Sequence, residues 1–542
     1  MKRVLAVLLA IMMLAAVATG CGKKTVGAGE FDPSALEGLT GFQASKEPLT
    51  LTAHIMDFDD EKWDVYHEAA KHTNITVKGT VAKSQADSSQ AFNMMLLQDK
   101  MPDIIHGSIS NLNNAGMKEK ALVDIKPYVT DPNVMPHLAA IYAEHPDYLI
   151  SVTAPDGGVY ICPKLREEGP TQGWYTRSDW MEKLGLEDPK TYDEFVHVMD
   201  RMRNGDPNGN GKKDEIPYFG DVKHLFYLFG INGGRYWDIN EQDDMFCPRL
   251  TEDYKLALKT IADWYKKGYI DQEIFTRKNP RGMLWGHNTG GMTFNWFSST
   301  MSYNEQIKNV PGFHISVMDP PSNIHGDAAY CHSPGNIVDS TGWGVSVDNE
   351  HLAETLRYFD FWYSDTGSLL NAMGIEERDY YYLKDANGNY IDYDGNPTTD
   401  KSKGAVKYTE RATNYEGGAP QYVRDIGCIG IGYYMRQKWL LSGMTDEGAA
   451  GQKHYNEDIV TCKLVPPYSF TDAEQQIIDT EWTACQTKID EYMQQAIYGT
   501  IDVDATWDEH VQLIKDLGIE KVAKAHNAAY DRYTTAVANI GK

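Results

Sequence analysis

The sequence predicts a mixed α/β body built around a mainly parallel sheet, and three observations carry that expectation. First, strand-like and helix-like spacing alternate from the start of the body. Leu49 to Met56 reads as strand, Lys62 to His72 as helix, Ile75 to Val81 as strand, Ser88 to Gln98 as helix and Asp103 to His106 as a short buried strand. Such an order lays helices over a sheet and gathers the loops at the strand ends into a ligand crevice. Second, 542 residues with 42% hydrophobic content suit a soluble protein with a large core. Third, no internal repeat or low-complexity stretch divides the body between about 48 and 540, so it reads as one interleaved assembly.

Ahead of that body, Lys2 and Arg3 precede an apolar run from Val4 to Ala18, the order of an export signal, which gives 1–20 as a signal peptide. The run is short for a bilayer span. Ala18-Thr19-Gly20-Cys21 resembles the lipobox of bacterial lipoproteins, in which the cysteine thiol carries the lipid, so Cys21 is the expected anchor. Residues 21–47, rich in Gly, Ser and Lys, read as a flexible tether. The six remaining cysteines form no CxxC pair. Their spacing selects none of the possible disulfide sets, and buried free thiols are an equal reading.

Further along, Thr191 and Glu194 form a capping box for a helix that buries Phe195, Val198, Met199 and Met202 and ends at Gly205. Leu258, Ile261, Ala262 and Tyr265 mark a second helix, closed by Gly268. Asn387-Gly388, between aromatic runs at Tyr380 and Tyr393, signals a hairpin. Thr506 and Glu509 are expected to cap a helix with Leu513, Ile514 and Leu517 facing inward before Gly518.

With 51 Lys+Arg against 77 Asp+Glu and a formal charge of -26, nucleic acid and anionic membrane faces are poor partners. Among the aromatic residues, 33 Tyr and 12 Trp outnumber 16 Phe, so most rings carry a polar handle suited to a wet binding surface.

The segment Asp206-Pro207-Asn208-Gly209-Asn210-Gly211-Lys212-Lys213-Asp214-Glu215 places oxygen donors at alternating positions after a helix. Side chains at loop positions one, three, five and nine, with a main-chain carbonyl at seven, can converge on one hard cation, and calcium suits a flexible all-protein loop better than magnesium. An EF-hand would carry Glu at position twelve. Pro217 stands there and the acid is Glu215, so this is an EF-like loop without the second helix; a metal-free Asx/Gly turn is the plain alternative.

Trp174-Tyr175-Thr176-Arg177-Ser178-Asp179-Trp180, Pro189-Lys190-Thr191-Tyr192-Asp193-Glu194, the 206–215 loop and Ile216-Pro217 resemble the extracellular solute-binding lipoproteins of ABC sugar importers. The similarity is to their long, calcium-containing branch, which includes alginate-oligosaccharide binders. Met101-Pro102-Asp103-Ile104-Ile105, Gly291 to Trp296, Gly342-Trp343-Gly344, Gly374-Ile375-Glu376 and Ala529 to Tyr533 agree. The resemblance implies a two-lobed, periplasmic-binding-protein-like fold of type II, with interleaved lobes and a hinge. One lobe is expected from 48–162 plus about 313–355, the other from 163–312 plus about 356–542. It implies structural calcium held by Asp206, Asn208, Asn210, Asp214 and Glu215 with the Lys212 carbonyl, away from the sugar.

It also implies a non-enzymatic monomer on the outer face of the bacterial membrane, lipid-anchored through Cys21, that hands a carbohydrate to an ABC permease. Strand-end placement and the family's crevice positions nominate Asp57, Asp59, Asp60, Trp63, His106, Ser108 and Asn111 from one lobe. From elsewhere come Trp174, Trp285, Asn295, Trp296 and Trp343, each Trp being as readily a core residue. Arg166, Arg177, Arg235, Arg281 and Arg378 are candidate local charges with salt bridges as the default.

Two other classes stay open: a secreted lipoprotein hydrolase and a calcium-stiffened surface adhesion protein. Against the first, no Gly-x-Ser-x-Gly elbow is present, and His67 and His72 are five apart, off a common helix face for zinc. A glycosidase needs only two carboxylates, on which linear sequence is silent.

Overall fold

The computed structural model describes residues 28–81, 88–167, 171–327, 337–416, 418–428, 432–459 and 464–541. The signal segment, Cys21, Cys331 and Cys462 lie outside them. Cys162, Cys247, Cys428 and Cys485 are free thiols.

The expected α/β, two-lobed type II architecture holds. The first sheet uses β1 (Leu49–His54), β2 (Ile75–Gly79), β3 (Ile104–Ser108) and β4 (Cys162–Arg166). The second uses β5 (Gln172–Arg177), β6 (Ile216–Tyr218), β7 (Gly290–Trp296) and β8 (Ile315–Met318). The chain then returns to the first sheet with β9 (Val338–Val345) and β10 (Tyr434–Met435). Strand order is β10-β4-β9-β3-β1-β2 in the first sheet and β8-β5-β7-β6 in the second. β1, β2 and β3 are parallel, while β9 runs antiparallel between β3 and β4.

These assignments move the lobe boundaries. β4 stays in lobe 1 and β8 in lobe 2, so the crossings fall between Arg166 and Gln172 and between Met318 and Val338, later than the sequence suggested. Helix Leu352–Tyr363 belongs to lobe 1 as well: Leu356, Phe359, Phe361 and Trp362 pack into its core with Ile104, Ile105 and Leu165. A third crossing follows β10, where helix Asp446–Asp458 packs on lobe 2. The carboxyl-terminal helices join both lobes. Tyr492, Met493, Ile497 and Trp507 complete the lobe 2 core, and helix Ile519–Ala538 also contacts helix Pro146–Val152 of lobe 1.

The tether reading fails from Gly29 onward. Phe31 stacks on Tyr128 at 4.6 Å, Phe42 meets the edge of Phe361 at 5.4 Å, and Ala44 is buried with its N–H donating to the Thr73 carbonyl. Three apolar side chains, Phe31, Leu36 and Phe42, anchor a segment whose Gly, Ser and Lys content hides them.

Local signals fare well. The Thr191/Glu194 capping box forms on helix Tyr192–Asn204, whose buried face is Phe195, Val198, Met199 and Met202. Such a cap stabilises by about 1 kcal/mol. Gly268 closes helix Glu252–Lys267 in the left-handed conformation. Near the end the reading slips by a turn. Asp502 caps helix Val503–Asp516, which buries Val503, Trp507, His510 and Ile514 and leaves Leu513 42% exposed. The Asn387-Gly388 hairpin forms, with Lys384 bridged to Tyr390 and Ile391 N–H donating to the Leu383 carbonyl, while Tyr380–Tyr382 pairs with Val406–Tyr408.

Candidate functional site

Parallel strands present their carboxyl ends on one edge, and in lobe 1 that edge gathers polar side chains. Thr341 pairs with Ser108 across β9 and β3, and Met435 with Arg166 across β10 and β4, so His106, Ser108, Asp339 and Arg166 occupy neighbouring strand ends. Arg166 bonds Asp339 at 2.6 Å, with Lys164 3.6 Å from the same carboxylate. Burial pushes Asp339 up, but Lys164 and Arg166 more than offset it and hold the carboxyl below its usual range. Burial and neighbouring Arg166 lower Lys164 despite that carboxylate. Burial, reinforced by His54, takes His106 down to about 4, so its ring is neutral at pH 7.

On lobe 2, β7 ends at Trp296, which stays 47% exposed, and helix Phe297–Thr300 follows. Its Ser298 faces two adjoining cavities of about 420 and 190 Å³ against lobe 1 residues that include Lys407, Tyr408, Asn414, Arg424, Tyr433 and Trp439. This is an interlobe groove of rings, amides and hydroxyls, within reach of the ~300–1,000 Å³ that enclose drug-sized ligands. Lys407 reaches across it to Asp446 at 3.2 Å.

The structure divides the expected site residues. Trp296 is exposed at the end of β7, two residues before the groove-lining Ser298, with half-buried Asn295 beside it, and His106, Ser108 and exposed Asn111 lie at the end of β3. Asp57 is exposed in a left-handed conformation. Asp59 caps a turn by accepting from the N–H groups of Glu61 and Lys62, and Asp60 accepts from Gly79 N–H; both are committed locally.

The other four tryptophans are core. Trp174 packs edge-on against Phe195 and Phe294, each at 5.3 Å, because β5 is buried on both faces. Trp285 sits against Phe219 and Tyr303, Trp343 stacks on Phe359 at 5.1 Å, and Trp63 packs between Phe58 and Tyr66. Arg177 is wholly buried, doubly bonded to Asp179 at 2.7 Å and sandwiched by Trp180 and Phe313. Arg378 joins Asp379 and Asp64, Arg235 lies 4.0 Å from Asp238, and Arg281 donates to Ser299 and Thr300. Sequence reasoning missed the lobe 1 wall between 405 and 443, which has no strand-loop signature.

The 206–215 loop lies at the other end of the second sheet. Ile216 pairs with Gly290 at the start of β7, whereas Trp296 ends that strand, so the loop is about 20 Å from the cleft edge at ~3.3 Å per residue. Asp206, Gly209 and Gly211 all adopt positive φ. Asn208 and Asn210 turn their Nδ2 groups toward Asp214, at 2.9 and 3.1 Å. Glu215 is fully buried, and neither of its carboxylate oxygens has a hydrogen-bond partner among the described residues. Burial, with Asp214 and Asp206 close by, raises that carboxyl. Among the described residues no cluster of three or more His, Cys, Asp and Glu side chains is gathered for a metal; the donor set here includes two amides. An orphaned buried carboxylate beside two Asp and two Asn side chains fits a hard divalent cation.

Comparison with known proteins matches residues 65–375 to a family described as bacterial extracellular solute-binding protein, and 471–535 to a domain of unknown function. The fructooligosaccharide ABC transporter substrate-binding protein FusA of Streptococcus pneumoniae is 27% identical over 66% of this chain and 68% of its own length. The structure of its EF-hand mutant with fructo-nystose superimposes with a TM-score of 0.68 at 22% identity, over 91% of this chain and all of that one. Lipoprotein LipO of Bacillus subtilis is 23% identical over 63% of this chain and 69% of its own. The calcium-free structure of the alginate-binding protein AlgQ2 gives a TM-score of 0.76 at 27% identity, covering 90% of this chain and 99% of that one.

Proposed function

The chain belongs to the bacterial extracellular solute-binding proteins, and from that premise we propose that it captures an oligosaccharide between its lobes and delivers it unaltered to an ABC permease. The observation that carries this reading is the interlobe groove, lined by Ser298, Ser302 and Gln306 on one side and Tyr408, Asn414 and Arg424 on the other, with exposed Trp296 two residues before Ser298 at the end of β7. A sugar offers C–H faces to rings and hydroxyl edges to amides and charged groups, and the groove supplies both. The carbohydrate ligands of the relatives support the class.

Three crossings join the lobes, so closure is a hinge motion that desolvates the ligand and creates the shape a permease reads. The protein does no chemistry in this reading. Calorimetric titration with a glycan panel, followed by mass spectrometry of the recovered sugar, tests it: stoichiometric binding of intact glycan is expected, and cleaved product would overturn it.

The protein works as a monomer outside the cytoplasm, with Cys21 carrying the lipid that holds it on the outer membrane face; a lipoprotein relative supports this. C21A should move the protein from the membrane fraction to the soluble one. The 206–215 loop holds a structural calcium through the side chains of Asp206, Asn208, Asn210, Asp214 and Glu215 and the Lys212 carbonyl. Its position far from the groove and the orphaned Glu215 oxygens support that role.

A further inference from the structure

A second pocket, of about 200 Å³, lies where the start of helix Ile109–Met117 meets the segment Pro467 to Gln475. Tyr468, Phe470 and Met117 form apolar walls, and Ser108, Ser340 and Asn113 add hydroxyls and an amide. No lining residue is charged. Asn113 is 3% exposed; its Nδ2 donates to Ser469 Oγ at 3.0 Å, while its Oδ1 has no partner among the described residues.

The aromatic wall is held in place by the carboxyl-terminal unit. Tyr468 Oη and His526 Nδ1 share a hydrogen bond at 2.7 Å, and Arg532 donates to the Ser469 carbonyl at 3.1 Å while pairing with Glu474. Residues 471–535, matched only to a domain of unknown function, thus position one side of this pocket. Its other side rests on the lobe 1 strand edge. Ser108 ends β3, whereas the groove near Met435 lies at β10, three strand spacings away, or roughly 15 Å.

We propose that this pocket is a subsite for the terminal ring of a neutral oligosaccharide whose remaining rings lie across the strand edge toward the groove of Ser298 and Tyr408. The carboxyl-terminal unit exists in part to build its wall. This rests on the oligosaccharide reading and narrows it. The volume falls below the ~300–1,000 Å³ of pockets that enclose larger ligands, so it takes one ring. A uronate carboxylate there would be desolvated with no cation to pair it, which selects a neutral sugar. The 15 Å separation selects an oligosaccharide over a disaccharide.

The test is calorimetric titration of the full chain with neutral fructo- and manno-oligosaccharides graded from disaccharide to pentasaccharide, and with oligogalacturonates of the same lengths. Wild-type affinity should rise about tenfold at the length that first reaches the pocket, for the neutral series only. S110W, which fills the pocket from an exposed position, and N113L, which removes the amide that ties Ser469 into the wall, should each lose that step, with melting curves showing that the variant is folded. Retention of the step in either folded variant, or an equal step with oligogalacturonates, overturns the subsite while leaving the groove intact. A wild-type protein that binds neither series overturns the oligosaccharide reading and the subsite together.

Discussion

Removing calcium should destabilise the folded chain through one residue, Glu215. Its two carboxylate oxygens are buried with no hydrogen-bond partner among the described residues, and each unsatisfied buried group costs about 1–3 kcal/mol. Chelation therefore exposes a penalty of roughly 2–6 kcal/mol. At about 2–4 °C per kcal/mol for a cooperative unit of about 150–250 residues, the melting temperature should fall by roughly 4–24 °C. Differential scanning calorimetry in chelator and in excess calcium measures the change directly. E215Q separates the metal from general packing, because the amide carries no charge to be stranded. Without calcium E215Q should melt above the wild type; with calcium it should melt below it, having lost a charged ligand. The reasoning fails if chelation leaves the wild type unmoved, or if E215Q gains as much from calcium as the wild type does.

W296A should weaken glycan binding about tenfold or more, since an aromatic face contributes about 0.5–1.5 kcal/mol beyond its buried area, and should leave the melting temperature unchanged because the ring is 47% exposed. W174A should do the opposite: loss of a fully buried ring costs about 3–5 kcal/mol, read by denaturant titration, with the affinity of the folded fraction intact. Acid should destabilise the fold. His106 and His510 are pushed down to about 4 and His526 to about 3, mainly by burial, so between pH 6.5 and 4 the unfolded chain takes up protons that the folded chain refuses. The contribution of these three histidines is constant above about pH 6.5 and is lost below it; H510Q should make that fall shallower, and an unchanged slope would refute the assignment.

Features decided within a few residues were legible in advance. The Thr191/Glu194 box and the Gly268 stop follow from backbone groups satisfied within one turn. The tight turn at 206–215 could be read because its Asx and Gly residues alternate within one short segment. The lobe boundaries could not, since they depend on β9 inserting between β3 and β4, a pairing across more than 170 residues that no local pattern encodes. The tryptophans fail for a related reason. Trp174 and Trp296 lie on neighbouring strands, yet only the strand-terminal Trp296 meets solvent, and residue type does not report which face a ring takes. The groove's lobe 1 wall, from 405 to 443, is short strands and helices without sustained period, so its residues gave no pattern to read.

The central place of β9 also dictates an order of assembly. The second sheet draws all four strands from residues 172–318 without interruption, whereas the first cannot join β3 to β4 until Val345 has been made. A chain emerging from its amino end therefore carries two separated sheet fragments with unpaired edges while the downstream sheet is already able to close. The sheet that begins first is finished last, at Met435, and export must shield its apolar strands through that interval. A fragment ending before Val338 is on this account an aggregating species rather than a half-sized receptor.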